Sequence, residues 1–122
     1  MSNIETMKVL LKNGADPNIT NNDGAAAIHI SAVQGDTAAV ELLLEYHADP
    51  NIRCNNGSTP LSLAVEQGHL DTIKALLAGM ANPNIPGRDN KSCIQLAIEH
   101  FSSSTDTLWP ILNLLSEYGE KK

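Results

Sequence analysis

The chain has 122 residues, a net charge of −6 and a hydrophobic content of 42%, which fits one compact domain over residues 1–122. Its apolar runs are shorter than the roughly 18 residues of a membrane span, and Met1 is not followed by the basic and apolar stretches of a signal peptide. No basic stripe is present to neutralise phosphates, so we predict a protein that binds neither nucleic acid nor membranes. Together with the two isolated cysteines, the lack of a signal peptide predicts an intracellular, cytoplasmic protein.

Aliphatic residues must supply most of the core, because the chain contains one Trp, two Tyr and one Phe. Leu, Ile, Val and Ala interdigitate between closely packed helices, so this composition favours a helical fold. The two cysteines, Cys54 and Cys93, are isolated from each other and are predicted to be reduced thiols rather than a disulfide.

One motif recurs along the chain at a constant spacing. Residues 15–19 and 48–52 read Ala-Asp-Pro-Asn-Ile, and residues 81–85 read Ala-Asn-Pro-Asn-Ile. Both shifts are 33 residues, so each copy is one supersecondary unit that is stable only when it stacks on its neighbours. We predict a partial copy over 1–19, full copies over about 20–52 and 53–85, and a capping copy over about 86–122.

Each full copy contains two predicted helices, which we name helix A and helix B in chain order. Helix B is the only helix of the partial copy, where Asn3 opens it. Its apolar residues recur at i, i+3, i+6 and i+7, a helical spacing. They include Met7, Leu10 and Leu11, then Val40, Leu43 and Leu44, then Ile73, Leu76 and Leu77. Helix A repeats Ile28, Ile30 and Ala32 as Leu61, Leu63 and Val65 and as Ile94, Leu96 and Ile98.

Start and stop signals agree with this division. Thr59 is a predicted N-cap with Pro60 at the first helical position, where its missing N–H costs nothing. Gly35 and Gly68 are predicted to end helix A. The polar segments 21–24 and 55–57 are predicted to form hairpin-like loop tips.

The last copy is longer than the others by six residues. We predict an inserted loop from Phe101 to Leu108 and a restored helix B behind it. In that alignment Trp109, Leu112 and Leu115 take the places of Leu70, Ile73 and Leu76. Polar Ser116 replaces Leu77 and Lys121–Lys122 close the chain, as expected of a capping copy. Trp109 and Phe101 are predicted to pack in this cap, with partner contact as the alternative.

Residues 57–64, Gly-Ser-Thr-Pro-Leu-Ser-Leu-Ala, and the Gly68-His69 pair that follows resemble the ankyrin repeat, as does the 33-residue period. The resemblance implies an all-α ankyrin-repeat solenoid whose copies bind another protein. It also implies that His29 forms hydrogen bonds that hold successive copies in register. One departure is that His47 and Met80 stand where the family's Gly survives as Gly14, at a position that favours a left-handed backbone.

The resemblance further implies a partner-binding surface of loop tips and the exposed face of helix A. Its residues are predicted to be Asn22, Asp23, Val33, Gln34, Arg53, Asn55, Asn56, Ser58, Glu66, Gln67, Arg88, Asp89, Lys91, Glu99 and His100. The alternative is that these are ordinary solvated side chains.

No catalytic, cofactor or metal site is predicted. The four histidines are scattered over different copies without ligand spacing, and Cys93 and His100 lie two helical turns apart. The recurring Asn18, Asn51 and Asn84 are predicted to satisfy backbone groups of their turns. The family resemblance also permits their hydroxylation in a eukaryotic protein.

We therefore predict a non-catalytic protein-interaction module whose partner the sequence does not identify. Two alternatives stay open: a regulatory or targeting fragment of a larger enzyme or secreted effector, and a purely structural spacer. A bacterial effector would act in the cytoplasm of its host. Because the partial copy lacks its helix A, we predict either that the chain was cut from a longer array or that it self-associates through the uncovered helix.

Overall fold

The fold is a stack of helix pairs. The computed structural model describes residues 4–119, which form seven α-helices, one short 3₁₀ helix and no strand. The α-helices are α1 (Ile4–Lys12), α2 (Ala27–Gln34), α3 (Thr37–Glu45), α4 (Pro60–Gln67), α5 (Leu70–Ala78), α6 (Cys93–Phe101) and α7 (Thr105–Gly119), and the 3₁₀ helix spans Arg88–Asn90. Asn3 and Lys121–Lys122, which carried predictions, lie outside the described residues.

The helices form two layers whose spacing matches the predicted period. Helices α2, α4 and α6 begin 33 residues apart and lie side by side as the helix A layer. Helices α3, α5 and α7 form the helix B layer, and α1 packs against α3 as the helix B of the partial copy. The predicted all-α solenoid is confirmed.

Helix boundaries follow from capping. The Thr59 hydroxyl accepts a hydrogen bond from the Ser62 backbone N–H at 3.0 Å, and the Thr59 N–H donates to the Ser62 hydroxyl at 2.9 Å. Gly68 ends α4 in a left-handed conformation at φ 71°, which glycine adopts without steric cost. The reciprocal bonds between Thr59 and Ser62 satisfy backbone N–H groups that the start of a helix leaves unpaired.

Two non-glycine residues hold a left-handed backbone after helix B. His47 has φ 71° and Met80 has φ 76°, while Gly14 at the equivalent position has φ 92°. The bend lets Ala48 N–H donate to the Leu43 carbonyl and Ala81 N–H donate to the Leu76 carbonyl, each at 2.9 Å. The predicted left-handed position is confirmed, and side chains there carry a steric cost that Gly14 avoids.

Side-chain amides join the turns of successive copies. The Asn18 amide oxygen accepts a hydrogen bond from Asp49 N–H at 2.7 Å, and Asn51 accepts one from Asn82 N–H at the same distance. The prediction that these Asn side chains satisfy backbone groups of their own turns is therefore wrong for Asn18 and Asn51, whose amide oxygens bond to the turn of the next copy. Their amide oxygens reach the next copy because the stack brings equivalent turns together.

The predicted insertion of the capping copy is mostly helix. The loop between α6 and α7 is only residues 102–104, so the predicted loop from Phe101 to Leu108 is wrong. The added residues instead start α7 four residues, about one turn, before Trp109. Leu115 is buried and Ser116 is exposed, as predicted. Leu112 is half-buried, whereas its neighbour Ile111 is fully buried.

The outer face of the capping copy is apolar. Trp109 is 60% exposed, so its predicted packing in the cap is wrong, whereas Phe101 is half-buried against the core. Ile94 and Ile98 are also nearly half exposed, although Leu61 and Val65 at the equivalent positions are buried. The difference arises because α6 covers α4, while no described segment covers α6 in the same way.

Candidate functional site

The helix A layer and its preceding loops form one continuous surface, which we call the concave face. Hydrogen bonds link successive loop tips on this face. Asn55 N–H donates to the Asp23 carbonyl at 2.9 Å, and the Asn55 side-chain amide donates to the Asn22 carbonyl at 3.0 Å. The predicted residues Asn22, Asp23 and Asn55 are therefore brought together, and all three stay exposed.

The loop of the second full copy is held by its own side chains. The Arg53 Nε donates to the Gly57 carbonyl at 3.0 Å. The Asn56 amide oxygen accepts from both Ser58 N–H and the Cys54 thiol at 3.0 Å. Arg53 and Asn56 thus present fixed polar groups at the loop tip, which lowers the entropy that a partner would have to remove on binding.

Ser58 does not belong to the accessible surface. Its side chain is fully buried, and its hydroxyl has no hydrogen-bond partner among the residues that the structure describes. The backbone carbonyl of Ser58 lies 3.3 Å from the Nε2 of buried His29. The prediction that Ser58 contacts a partner is wrong for this conformation.

His29 performs the linking role that its position implied. Its Nδ1 accepts a hydrogen bond from Ala26 N–H at 3.0 Å, so the proton resides on Nε2, which faces the Ser58 carbonyl of the next copy. Burial lowers the pKa of this imidazole below 6.5, against the opposing effect of its backbone hydrogen bonds. His29 is therefore a neutral structural link and is not exposed to a partner.

Charged residues of the second full copy and of the capping copy form ion pairs with each other. Glu66 Oε1 accepts a hydrogen bond from Arg88 Nε, which raises the pKa of the guanidinium, and it lies 3.5 Å from His100 Nε2. Arg88 also pairs with Asp89 at 3.1 Å, and Lys91 pairs with Glu99 at 2.8 Å. Six predicted binding residues are thus brought together but are already engaged within the chain.

Three predicted residues remain as exposed side chains on the helices of the concave face. Val33 and Gln34 lie at the end of α2, and Gln67 lies at the end of α4. Beside them, Ile30 is 48% exposed, although the sequence pattern placed it among core positions. The equivalent Leu96 is fully buried, so the pattern gave no sign that Ile30 is accessible.

The cysteines and histidines do not form a reactive or metal-binding group. Burial raises the pKa of the Cys93 thiol to about 12, so it stays protonated at neutral pH. His69 Nε2 lies 3.0 Å from the Val33 carbonyl and adds another link between copies. Among residues 4–119, no three His, Cys, Asp or Glu side chains come together where they could hold a metal ion.

The partial copy exposes a second apolar surface. On α1, Val9 and Leu10 are each more than half exposed. A groove of about 300 Å³ lies beside them and is lined partly by Met7, Leu11 and Leu43. Among the described residues, no helix A precedes α1 to cover this face.

None of the helices in the described part of the chain is both long and apolar enough to span a membrane. A family model described as ankyrin repeats, in three copies, matches residues 1–87. No curated protein matches the chain significantly.

Proposed function

The chain belongs to the ankyrin repeat family, and from that premise we propose that it is a non-catalytic module that binds another protein through its concave face. Ankyrin repeats are generally protein-interaction modules. One observation carries the proposal: Val33, Gln34 and Gln67 are exposed on the adjacent helices α2 and α4. Hydrogen bonds hold the loops that precede these helices, and the neighbouring charged residues form ion pairs within the chain. Such a prearranged surface lowers the entropic cost of association.

The proposed partner contact is tested by adding charge to the concave face. We expect Gln34→Lys with Gln67→Lys to reduce partner recovery in quantitative affinity capture by at least about tenfold, since interface residues that matter each cost more than about 1 kcal/mol. Neither glutamine is buried, so the change should leave the fold intact. Circular dichroism checks that it does.

A matched control adds the same charge to the opposite layer. Ala38→Lys and Ala78→Lys alter exposed positions of α3 and α5. These positions tolerate charge, because the equivalent residue is Asp71 for Ala38 and Glu45 for Ala78. This control should retain the partners. Recovery that falls with the control and survives the concave-face changes would contradict the proposal. Partners unaffected by either pair would also contradict the proposal, since they would then bind another surface of the chain.

We also propose weak self-association through α1, supported by the exposure of Val9 and Leu10 beside an apolar groove. Exposed apolar patches of this kind mark interaction surfaces when they are contiguous. Light scattering over a concentration series should show a rising mean mass. A constant monomeric mass up to millimolar concentration would contradict this part of the proposal.

A further inference from the structure

The N-terminal half of the concave face carries an apolar groove between α2 and α4. Ile30 and Val33 of α2 and Leu63 of α4 line it, with His29 and Cys54 at its edges. Its volume is about 230 Å³, below the range of roughly 300–1,000 Å³ that is usual for small-molecule pockets. The groove therefore has the size for one side chain rather than for a cofactor or metabolite.

The apolar character of the groove is specific to one copy. Val33 occupies the position that Glu66 and Glu99 occupy one and two periods later. Those two glutamates are held by Arg88 and Lys91, whereas Val33 is 40% exposed. The repeat therefore carries a charge at this position in two copies and an accessible hydrophobic side chain in the third.

The electrostatics of the surface disfavour a charged ligand in the groove. No Asp, Glu, Lys or Arg lines it. The nearby charges of the C-terminal half are already paired, as Glu66 with Arg88 and Glu99 with Lys91. A charged group that entered the groove would lose hydration without gaining an opposite charge. An aliphatic group would instead bury apolar surface on both sides of the contact.

We propose that this groove binds one aliphatic side chain of an uncharged segment of the partner protein, while the ion-paired half of the concave face contacts the polar remainder of that segment. This inference rests on the proposed function and adds the chemistry of the partner. The occupant is a Leu, Ile, Val or Met side chain, because Ile30, Val33 and Leu63 line the groove with branched aliphatic groups and no charged residue lines it.

Cys54 provides a reporter within the groove. It is partly exposed, whereas Cys93 is fully buried, so Cys54 should be the thiol that reacts first. The probes are methyl and propyl methanethiosulfonate, two neutral reagents that differ by two methylenes, and a reagent with a carboxylate tail. Reaction rates are measured by mass spectrometry and divided by those of N-acetylcysteine. We expect the propyl-to-methyl ratio to be about tenfold higher on the protein, since each buried methylene favours binding, and the carboxylate reagent to be the slowest.

The variant Val33→Glu tests the groove directly. It installs the residue that the other copies carry at this position, so we expect it to fold. It should abolish the preference for the propyl reagent and release captured partner protein. Ala38→Glu is the matched control, because it adds the same charge at an exposed position of α3, in the layer opposite the groove. This control should retain both properties.

The outcomes separate this inference from the proposed function. A propyl preference no greater than that of N-acetylcysteine, or one that survives Val33→Glu, would overturn the aliphatic site. Partner capture that depends on Gln34 and Gln67 but is unchanged by Val33→Glu would also overturn it and leave the proposed function standing. If partner capture survives all the concave-face variants, Val33→Glu included, both the proposed function and this inference fail, even where the propyl preference is intact.

Discussion

Replacement of Leu76 by alanine should lower the free energy of unfolding by about 2–5 kcal/mol. Leu76 is fully buried in the core of the stack, together with Ile73 of the same helix and Leu43 of the preceding copy. The substitution removes buried apolar surface and leaves a cavity that a close-packed helix layer fills only partly. Chemical denaturation monitored by circular dichroism measures the loss.

Leu10→Ala is the matched control for Leu76. Leu10 occupies the same position of helix B in the partial copy, but it is 56% exposed, since no helix A precedes α1 among the described residues. Its replacement should cost less than about 1 kcal/mol, since little surface is removed from the core. Equal losses for the two variants would contradict the assignment of α5 as a central helix of the stack.

Replacement of His29 by alanine should lower the free energy of unfolding by about 1–3 kcal/mol, because the buried Ala26 N–H loses its acceptor, whereas the Ser58 carbonyl keeps its bond from Cys54 N–H. Ala26 N–H would have no acceptor and the Ser58 carbonyl would lose the imidazole that faces it. The second full copy has Ser62 at this position, which serves only the cap of its own helix. His29 therefore gives the first two full copies a link that the next pair lacks.

The pH dependence of stability identifies this histidine. Burial lowers the pKa of His29 in the folded chain below its ordinary value of 6.5. Between this lowered pKa and pH 6.5, the unfolded chain therefore binds more protons than the folded chain. Its contribution to stability is present above about pH 6.5 and is lost as the pH falls through the folded pKa. Denaturation at several pH values should show a smaller decrease for His29→Ala than for the wild type. Parallel curves would contradict a neutral, buried His29.

Much of the fold could be predicted because the repeat supplies its own comparison. The 33-residue period gave the helix A starts at Ala27, Pro60 and Cys93, and the polar loop tips between them. The capping copy was harder, because no second copy has its length. Pattern alone did not show that its added residues extend α7 rather than form a loop.

The sequence predicted which residues lie on the candidate surface, but not which of them are already paired with each other. Its residues lie where the repeat pattern placed them, apart from Ser58, which turns inward. Their pairing was not predictable, because Arg88 and Glu66 are 22 residues apart and meet only when two copies stack. The sequence also did not reveal the accessible groove at Ile30, because the equivalent residue of the last copy, Leu96, is buried.

The period, the helices and the family resemblance follow from the sequence alone, because local hydrophobic spacing and turn residues act within a single copy. The stacked structure is needed to know which charges are already paired, which turn amides reach the next copy, and which apolar side chains are exposed to solvent. These properties depend on distances between copies and on what covers each end of the stack. No spacing within a copy encodes those distances, so they are set by the packing of one copy on another.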